Sequence, residues 1–203
     1  MAFAPHRALA PVTLQGRLVQ LRPLQPDDVP ALWQAGSDPA LWRLQPRMLN
    51  GEQDMREYVG FALAEQRAGR ALPFTVVHAP SGRVIGSTRY MDVALEHRRL
   101  EIGGTWYAPQ WHGSGVNAEA KLLLLSHAFE ALRVQKVVFK TETANEASLR
   151  AILALGAVQE GVFRAHFLSE EGRSRDMVYF ALFAAGWPAA KSRLVQRAAA
   201  RSP

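Results

Sequence analysis

Residues 110–115 read Gln-Trp-His-Gly-Ser-Gly, a Q-x-x-G-x-G segment between a strand-like run (100–107) and a long Ala- and Leu-rich stretch (117–132). A strand that delivers a glycine-bearing loop to the start of a helix builds an anion site. The first N–H groups of a helix have no partner within it, and the helix dipole adds partial positive charge there. Glycines let a phosphate approach the bare backbone, so the arrangement suits a pyrophosphate-bearing ligand.

The same stretch satisfies a second pattern. Gly113-Ser114-Gly115-Val116-Asn117-Ala118 fits G-x-G-x-x-A, the dinucleotide fingerprint, and Glu142 ends the next strand-like run, near where a ribose-binding carboxylate would stand. That fold wants its motif in a first β–α turn with alternating βαβ units after it. Here about half the chain precedes the motif and reads as hairpins, and Pro109 and Gln110 lengthen the connection beyond a tight turn. A dinucleotide-binding protein is the weaker alternative, and a loop without a ligand is a third.

At 203 residues and 48% hydrophobic, the chain suits one well-buried core. With no Cys, it has no thiol nucleophile, disulfide or Cys-ligated zinc. The His residues, at positions 6, 78, 97, 112, 127 and 166, show no ligand spacing, so no metal is expected. No stretch approaches the ~20 unbroken apolar residues of a membrane helix, and the first residues lack a secretory apolar run. The expectation is a cytoplasmic protein without a membrane partner. Net charge is +6, and four of the basic residues (Lys191, Arg193, Arg197, Arg201) lie in the acid-free stretch 187–203. The excess is therefore mostly a tail and not a groove, which argues against nucleic acid.

Hydrophobic periodicity predicts a strand over 14–24, then a helix capped by Asp27 and running to Gly36, with Pro30 in its first turn. A second helix spans 50–69, its stripe formed by Met55, Val59, Phe61, Leu63 and Ala64. Strands over 74–78 and 83–90 form a hairpin through Ala79-Pro80-Ser81-Gly82, and a further strand covers 100–107. After the glycine loop come a helix (116–132), a strand (136–141) and a helix from Asn145 to Leu155, with Gly156 just beyond it. Two strands, 158–168 and 175–183, are joined across the turn 169–173; an amphipathic end helix would face the body with Leu194 and Val195. The order describes one mixed α/β domain.

This order and these motifs resemble the GCN5-related N-acetyltransferase (GNAT) superfamily, nearest to the branch that acetylates ribosomal-protein and other N-terminal amines. The likeness covers nearly the whole chain. It rests on Q-x-x-G-x-G opening a helix after a strand, and on Asn145-Glu146-Ala147-Ser148, which matches the N-x-x-S of that branch. The resemblance implies an α/β (α+β) fold with a mostly antiparallel sheet, its fourth and fifth strands splayed into a cleft for acetyl-CoA. It also implies an N-terminal extension (1–13), an N-acetyltransferase domain (14–186), a basic helical tail (187–203), and it admits a homodimer. By position, Thr105, Trp106 and Tyr107 would line the pantetheine arm. Gln110, His112, Gly113, Ser114, Gly115 and Val116 would hold the phosphates, and Asn145 would bond the arm.

Acetyl transfer to an amine needs a neutral amine, a polarised thioester carbonyl and a proton for the departing thiolate. Glu101, in an otherwise apolar strand, is the candidate base, since partial burial would raise its pKa; the alternative is a strand-edge Glu bonded to Arg98 or Arg99. Many family members carry a Tyr acid on the helix after the Asn, but residues 149–155 contain none. Ser148 is the substitute the branch suggests, with a hydroxyl bonded to backbone as the alternative. Asp176 would hold a cationic acceptor or form a salt bridge to an Arg, and His127 would pack within its helix. Trp33, Trp42, Tyr58 and Phe61 would either wall the acceptor site or fill the core. A non-catalytic acyl-CoA-binding module is the opposing reading.

Overall fold

The β-branched and aromatic runs pair into one eight-stranded sheet. Its strands are β1 (Leu14–Gln15), β2 (Val19–Pro23), β3 (Leu72–His78), β4 (Arg83–Ala94), β5 (Arg99–Tyr107), β6 (Lys136–Glu142), β7 (Val158–Leu168) and β8 (Ser174–Phe183). The computed structural model describes residues 9–43, 45, 47–169 and 172–200. Glu170 and Glu171 of the expected turn, Arg201 of the basic tail and residues 1–8 of the N-terminal extension lie outside the described residues. The spatial order is β1-β2-β3-β4-β5-β6-β8-β7, antiparallel throughout except for β5 against β6.

Two apolar layers hold the sheet. On one face, α1 (Val29–Gly36) and α2 (Glu52–Arg67) bury Leu32, Met55, Val59 and Ala62 around Trp42 and Trp106. On the other, α3 (Val116–Ser126) and α5 (Trp187–Ala199) bury Leu124, Leu125, Ala190 and Leu194 against the sheet's Phe74, Ile102 and Phe139. A fifth helix, α4 (Glu146–Leu153), follows β6. Among the described residues no helix is long and apolar enough to cross a membrane.

Several local expectations are corrected. The strand expected over 14–24 is a hairpin, because the chain turns at residues 16–18 around the carboxylate of Glu119 on α3. That carboxylate accepts the N–H groups of Arg17 (3.1 Å), Leu18 (2.6 Å) and Val19 (2.8 Å). Helix α1 starts at Val29, and the nearby acid that matters is Asp28, not Asp27: it is ion-paired with Arg22 and accepts from Thr75 Oγ1 at 2.6 Å. On α2, Phe61 is 61% exposed, as its place on the helix turns it from the core to the cleft. On α5 the buried positions are Trp187, Ala190, Leu194 and Ala198, at helical spacing, which leaves Val195 exposed. The helix after the glycine loop ends in a single π turn over His127–Ala131.

The feature that positions the site is a break in the ladder. β5 pairs with β6 only through Arg99–Glu101 and Lys136–Val138, and beyond those residues the strands part. On its other side β5 slips register against β4 between Ser87 and Arg89, where Gly104 takes φ +57°. An extra residue in one strand bends it and increases its twist, which carries the end of β5 away from β6.

Glu119 gives the first prediction. Glu119→Ala leaves three amide donors without their acceptor, two of them on the buried residues Leu18 and Val19. Denaturant unfolding should show a loss of about 3 kcal/mol; a loss under about 1 kcal/mol would mean that water replaces the carboxylate.

Candidate active site

The parted strands open a cleft of about 1170 Å³ that runs from the glycine loop to α2 and the start of α4. At one end, Pro109–Trp111 form a single 3₁₀ turn, and α3 begins after Gly115. Gly113 (φ +77°) and Gly115 (φ +87°) both adopt the left-handed conformation that favours glycine. Among the described residues the amides of Gly115, Val116, Asn117 and Ala118 have no hydrogen-bond partner, and a Cβ on Gly113 would meet open space. The loop itself is fixed: Ser114 Oγ donates to the Trp111 carbonyl at 2.6 Å, His112 Nε2 lies 3.0 Å from the Tyr107 carbonyl, and the Trp111 ring packs at a tilt against His78. The result is a fixed set of free donors at a helix start, which fits a diphosphate.

Of the loop residues expected to hold phosphate, His112, Gly113 and Gly115 line the cleft. Gln110 is exposed and, like Ser114 and Val116, does not line the cleft; the Ser114 hydroxyl bonds the Trp111 carbonyl, and the Val116 side chain is buried in the core. Thr105, Trp106 and Tyr107 line the cleft from β5. Trp106 packs on Trp42 with ring centroids 5.2 Å apart, and the Tyr107 hydroxyl donates to Asn117 Oδ1 at 3.3 Å.

Across the cleft, Asn145 caps α4: its Oδ1 accepts the Ser148 amide at 3.0 Å, and that bond does not engage its NH₂ group. Ser148 lines the cleft, half-buried, and its hydroxyl has no hydrogen-bond partner among the described residues, the alternative bond to backbone included.

Glu101 lies where the strands part. Its partner is neither Arg98 nor Arg99, which bond the Arg133 carbonyl and Asp92, but Lys140 on β6, with Nζ 2.7 Å from Oε2. Burial pushes the Glu101 carboxyl above the usual carboxylate range, against the opposing pull of Lys140. Burial likewise acts to lower Lys140, but the Glu101 carboxylate outweighs it and holds the ammonium up. Asp176 accepts the Ala165 amide and pairs with exposed Arg164, away from the cleft-lining set. His127 packs against Tyr90, and burial lowers its pKa.

Three cleft residues escaped the sequence reading. Lys121 of α3 is buried, with Nζ 2.9 Å from Thr105 Oγ1, which in turn bonds Thr88; burial pulls its pKa down to about 7. Arg89 of β4 is 6% exposed, its guanidinium 4.8 Å above the Tyr58 ring. Lys140 is the third. Lys121 is a lone cation in the apolar run 118–125, a signal that was available. Arg89 looked like any polar residue of an alternating strand.

This architecture has known counterparts. Residues 18–158 match the model of the acetyltransferase (GNAT) domain. The chain belongs to the GNAT family. It is 26% identical over 174 residues to p20, a Bacillus licheniformis protein named as an N-acetyltransferase, covering 84% of this chain and 95% of p20. A solved T. thermophilus protein described as an acetyltransferase is 35% identical, with TM-score 0.83 over 93% of this chain and 97% of the other. Mycobacterium smegmatis RimJ, solved in complex with CoA-disulfide, is 26% identical, with TM-score 0.77 over 94% and 96%. The chain is thus an acyltransferase with a GNAT domain, and the family draws its acyl group from acetyl-CoA.

Lys121 carries a pH signature. Its lowered pKa means that the unfolded chain binds more protons between pH 7 and 10.5, so this residue's penalty is full at pH 7 and fades as pH rises to 10.5. Lys121→Met should therefore melt higher than the parent at pH 7, with the difference closing by pH 10. A difference independent of pH would show that Lys121 is solvated and charged.

Proposed function

We propose that this GNAT protein transfers acetyl from acetyl-CoA to a primary amine by direct attack, with both substrates bound together. The observation that carries the reading is the pairing of free loop amides at residues 115–118 with a buried carboxylate, Glu101, at the point where β5 leaves β6. The loop amides would take the diphosphate, and the parted edge of β5 at Thr105 and Trp106 would take the pantetheine arm, together with the Asn145 NH₂. Acetyl-CoA supplies an activated thioester, so no enzyme nucleophile is required.

Glu101 takes the proton that the incoming ammonium must lose before it can attack. A buried carboxylate is a stronger base than an exposed one, and Lys140 keeps it oriented without neutralising it. Backbone N–H groups on the unpaired edge of β5 face the reacting carbonyl oxygen. Ser148, with its hydroxyl unengaged, donates to the departing sulfur. The amines considered include protein N-termini and small-molecule amines.

Two measurements test this assignment. Gly113→Asp places a carboxylate at the diphosphate site, in open space and in a conformation that Asp tolerates. Calorimetry should show acetyl-CoA affinity falling at least tenfold while the melting temperature changes little; unchanged affinity would move the diphosphate elsewhere. In the parent enzyme kcat/KM should fall on acidification in two proton steps, one from the acceptor amine and one from Glu101 at a pH above the ordinary carboxylate value. Glu101→Gln should lower the rate about 100-fold and leave a single step. An unaltered profile would assign the base to another group.

A further inference from the structure

Arg89 is a buried cation with no ion-pair partner among the described residues. Its Nε is buried without a hydrogen-bond partner, and no carboxylate stands within ion-pair distance among the described residues. The nearest buried acid on its face of the sheet, Glu101, is already engaged by Lys140. Leaving a desolvated charge unpaired is strongly destabilising, and the cation–π contact with Tyr58 offsets only part of that. The guanidinium is held in place from both sides. Gly104 lies so close that a Cβ there would collide with Nε, and the Tyr58 hydroxyl is fixed between the Gly104 carbonyl (3.4 Å) and Trp106 Nε1 (3.3 Å).

Arg89 also lines the cleft, and its location there is informative. In the β4–β5 register Arg89 lies opposite Gly103, and Met91 opposite Glu101. Arg89 and Glu101 are therefore diagonal neighbours on one face, about 7–8 Å apart at the backbone. That face looks towards α2 and the aromatic wall of Trp42, Tyr58 and Trp106, not towards the glycine loop at the start of α3. A guanidinium binds carboxylate in preference to neutral groups because its planar fork matches the two oxygens.

We propose that Arg89 binds a carboxylate carried by the acceptor, so that the favoured substrate presents its amine to Glu101 and an acidic group to Arg89. The inference rests on the N-acetyltransferase reading. The carboxylate is either the α-carboxylate of a free amino acid or an acidic side chain beside a peptide's N-terminal amine.

The test measures CoA thiol release with matched acceptors: amino acids against their carboxamides, and peptides with Glu against Gln at the second position. In the parent enzyme the acidic member of at least one pair should have a kcat/KM at least tenfold higher, and which pair responds identifies the source of the carboxylate. In Arg89→Gln that preference should shrink to within about twofold through KM for the acceptor, with KM for acetyl-CoA unchanged. Arg89→Lys should restore part of it, and the desamino analogue of the preferred acceptor should compete with it in the parent enzyme, a readout that needs no variant. Equal rates within every pair, or no turnover of any acidic acceptor by protein that binds acetyl-CoA, would overturn the carboxylate subsite alone. Failure of calorimetry to detect acetyl-CoA binding would instead overturn the acetyltransferase reading beneath it.

Discussion

The separation of β5 from β6 after Glu101 is the constraint on which the rest of the molecule depends. A parallel pair that stayed in register to Tyr107 would satisfy its own backbone groups and close the sheet. The bulge opposite Ser87–Arg89, with Gly104 in a left-handed conformation, bends β5 out of that ladder. Beyond Glu101 the edge of β5 no longer has β6 as a ladder partner and borders a large cleft, and buried main-chain groups rarely stay unpaired.

The charged groups around that opening follow the same logic. Elsewhere the buried ions are compensated: Asp28 by Arg22 and Thr75, Glu119 by three amides. At the cleft the balance is incomplete. Among the described residues Lys121 has a threonine hydroxyl and the face of Phe139, Arg89 has the face of Tyr58, and Glu142, although paired with Arg175, keeps one buried oxygen without a partner. Native structures concentrate such local violations where function requires them. The bulge has two faces: Thr88 and Thr105 lie towards Lys121 of α3, while Arg89 and Glu101 lie on the face that packs towards Tyr58 of α2.

Much of the frame was legible in the chain. The strand, glycine loop and helix at 100–132 follow from local rules, because periodicity sets the elements and left-handed glycines set the turn. The N-cap role of Asn145 was equally local, since its side chain reaches only three residues ahead. The errors share a different cause. The chain's turn at 16–18 is dictated by Glu119, a hundred residues away, and no window of local sequence contains both. Val195 and Phe61 were placed by hydrophobicity, but which side of a helix is covered depends on what packs against it. Glu101 stood out as an acid in an apolar strand, but its partner was sought among its sequence neighbours and proved to be Lys140 on the next strand.

The sequence by itself determined the family, the order of elements and the glycine loop that opens α3, because each depends on contacts within a few residues. Only the tertiary structure decided that β5 leaves β6 at Glu101, that Lys121 loses its water and that Arg89 lies against the Tyr58 ring at the cleft without a counter-ion among the described residues. Burial and pairing are properties of surfaces that meet across the fold, and a charge reveals its energy only once the groups that exclude water from it are in place.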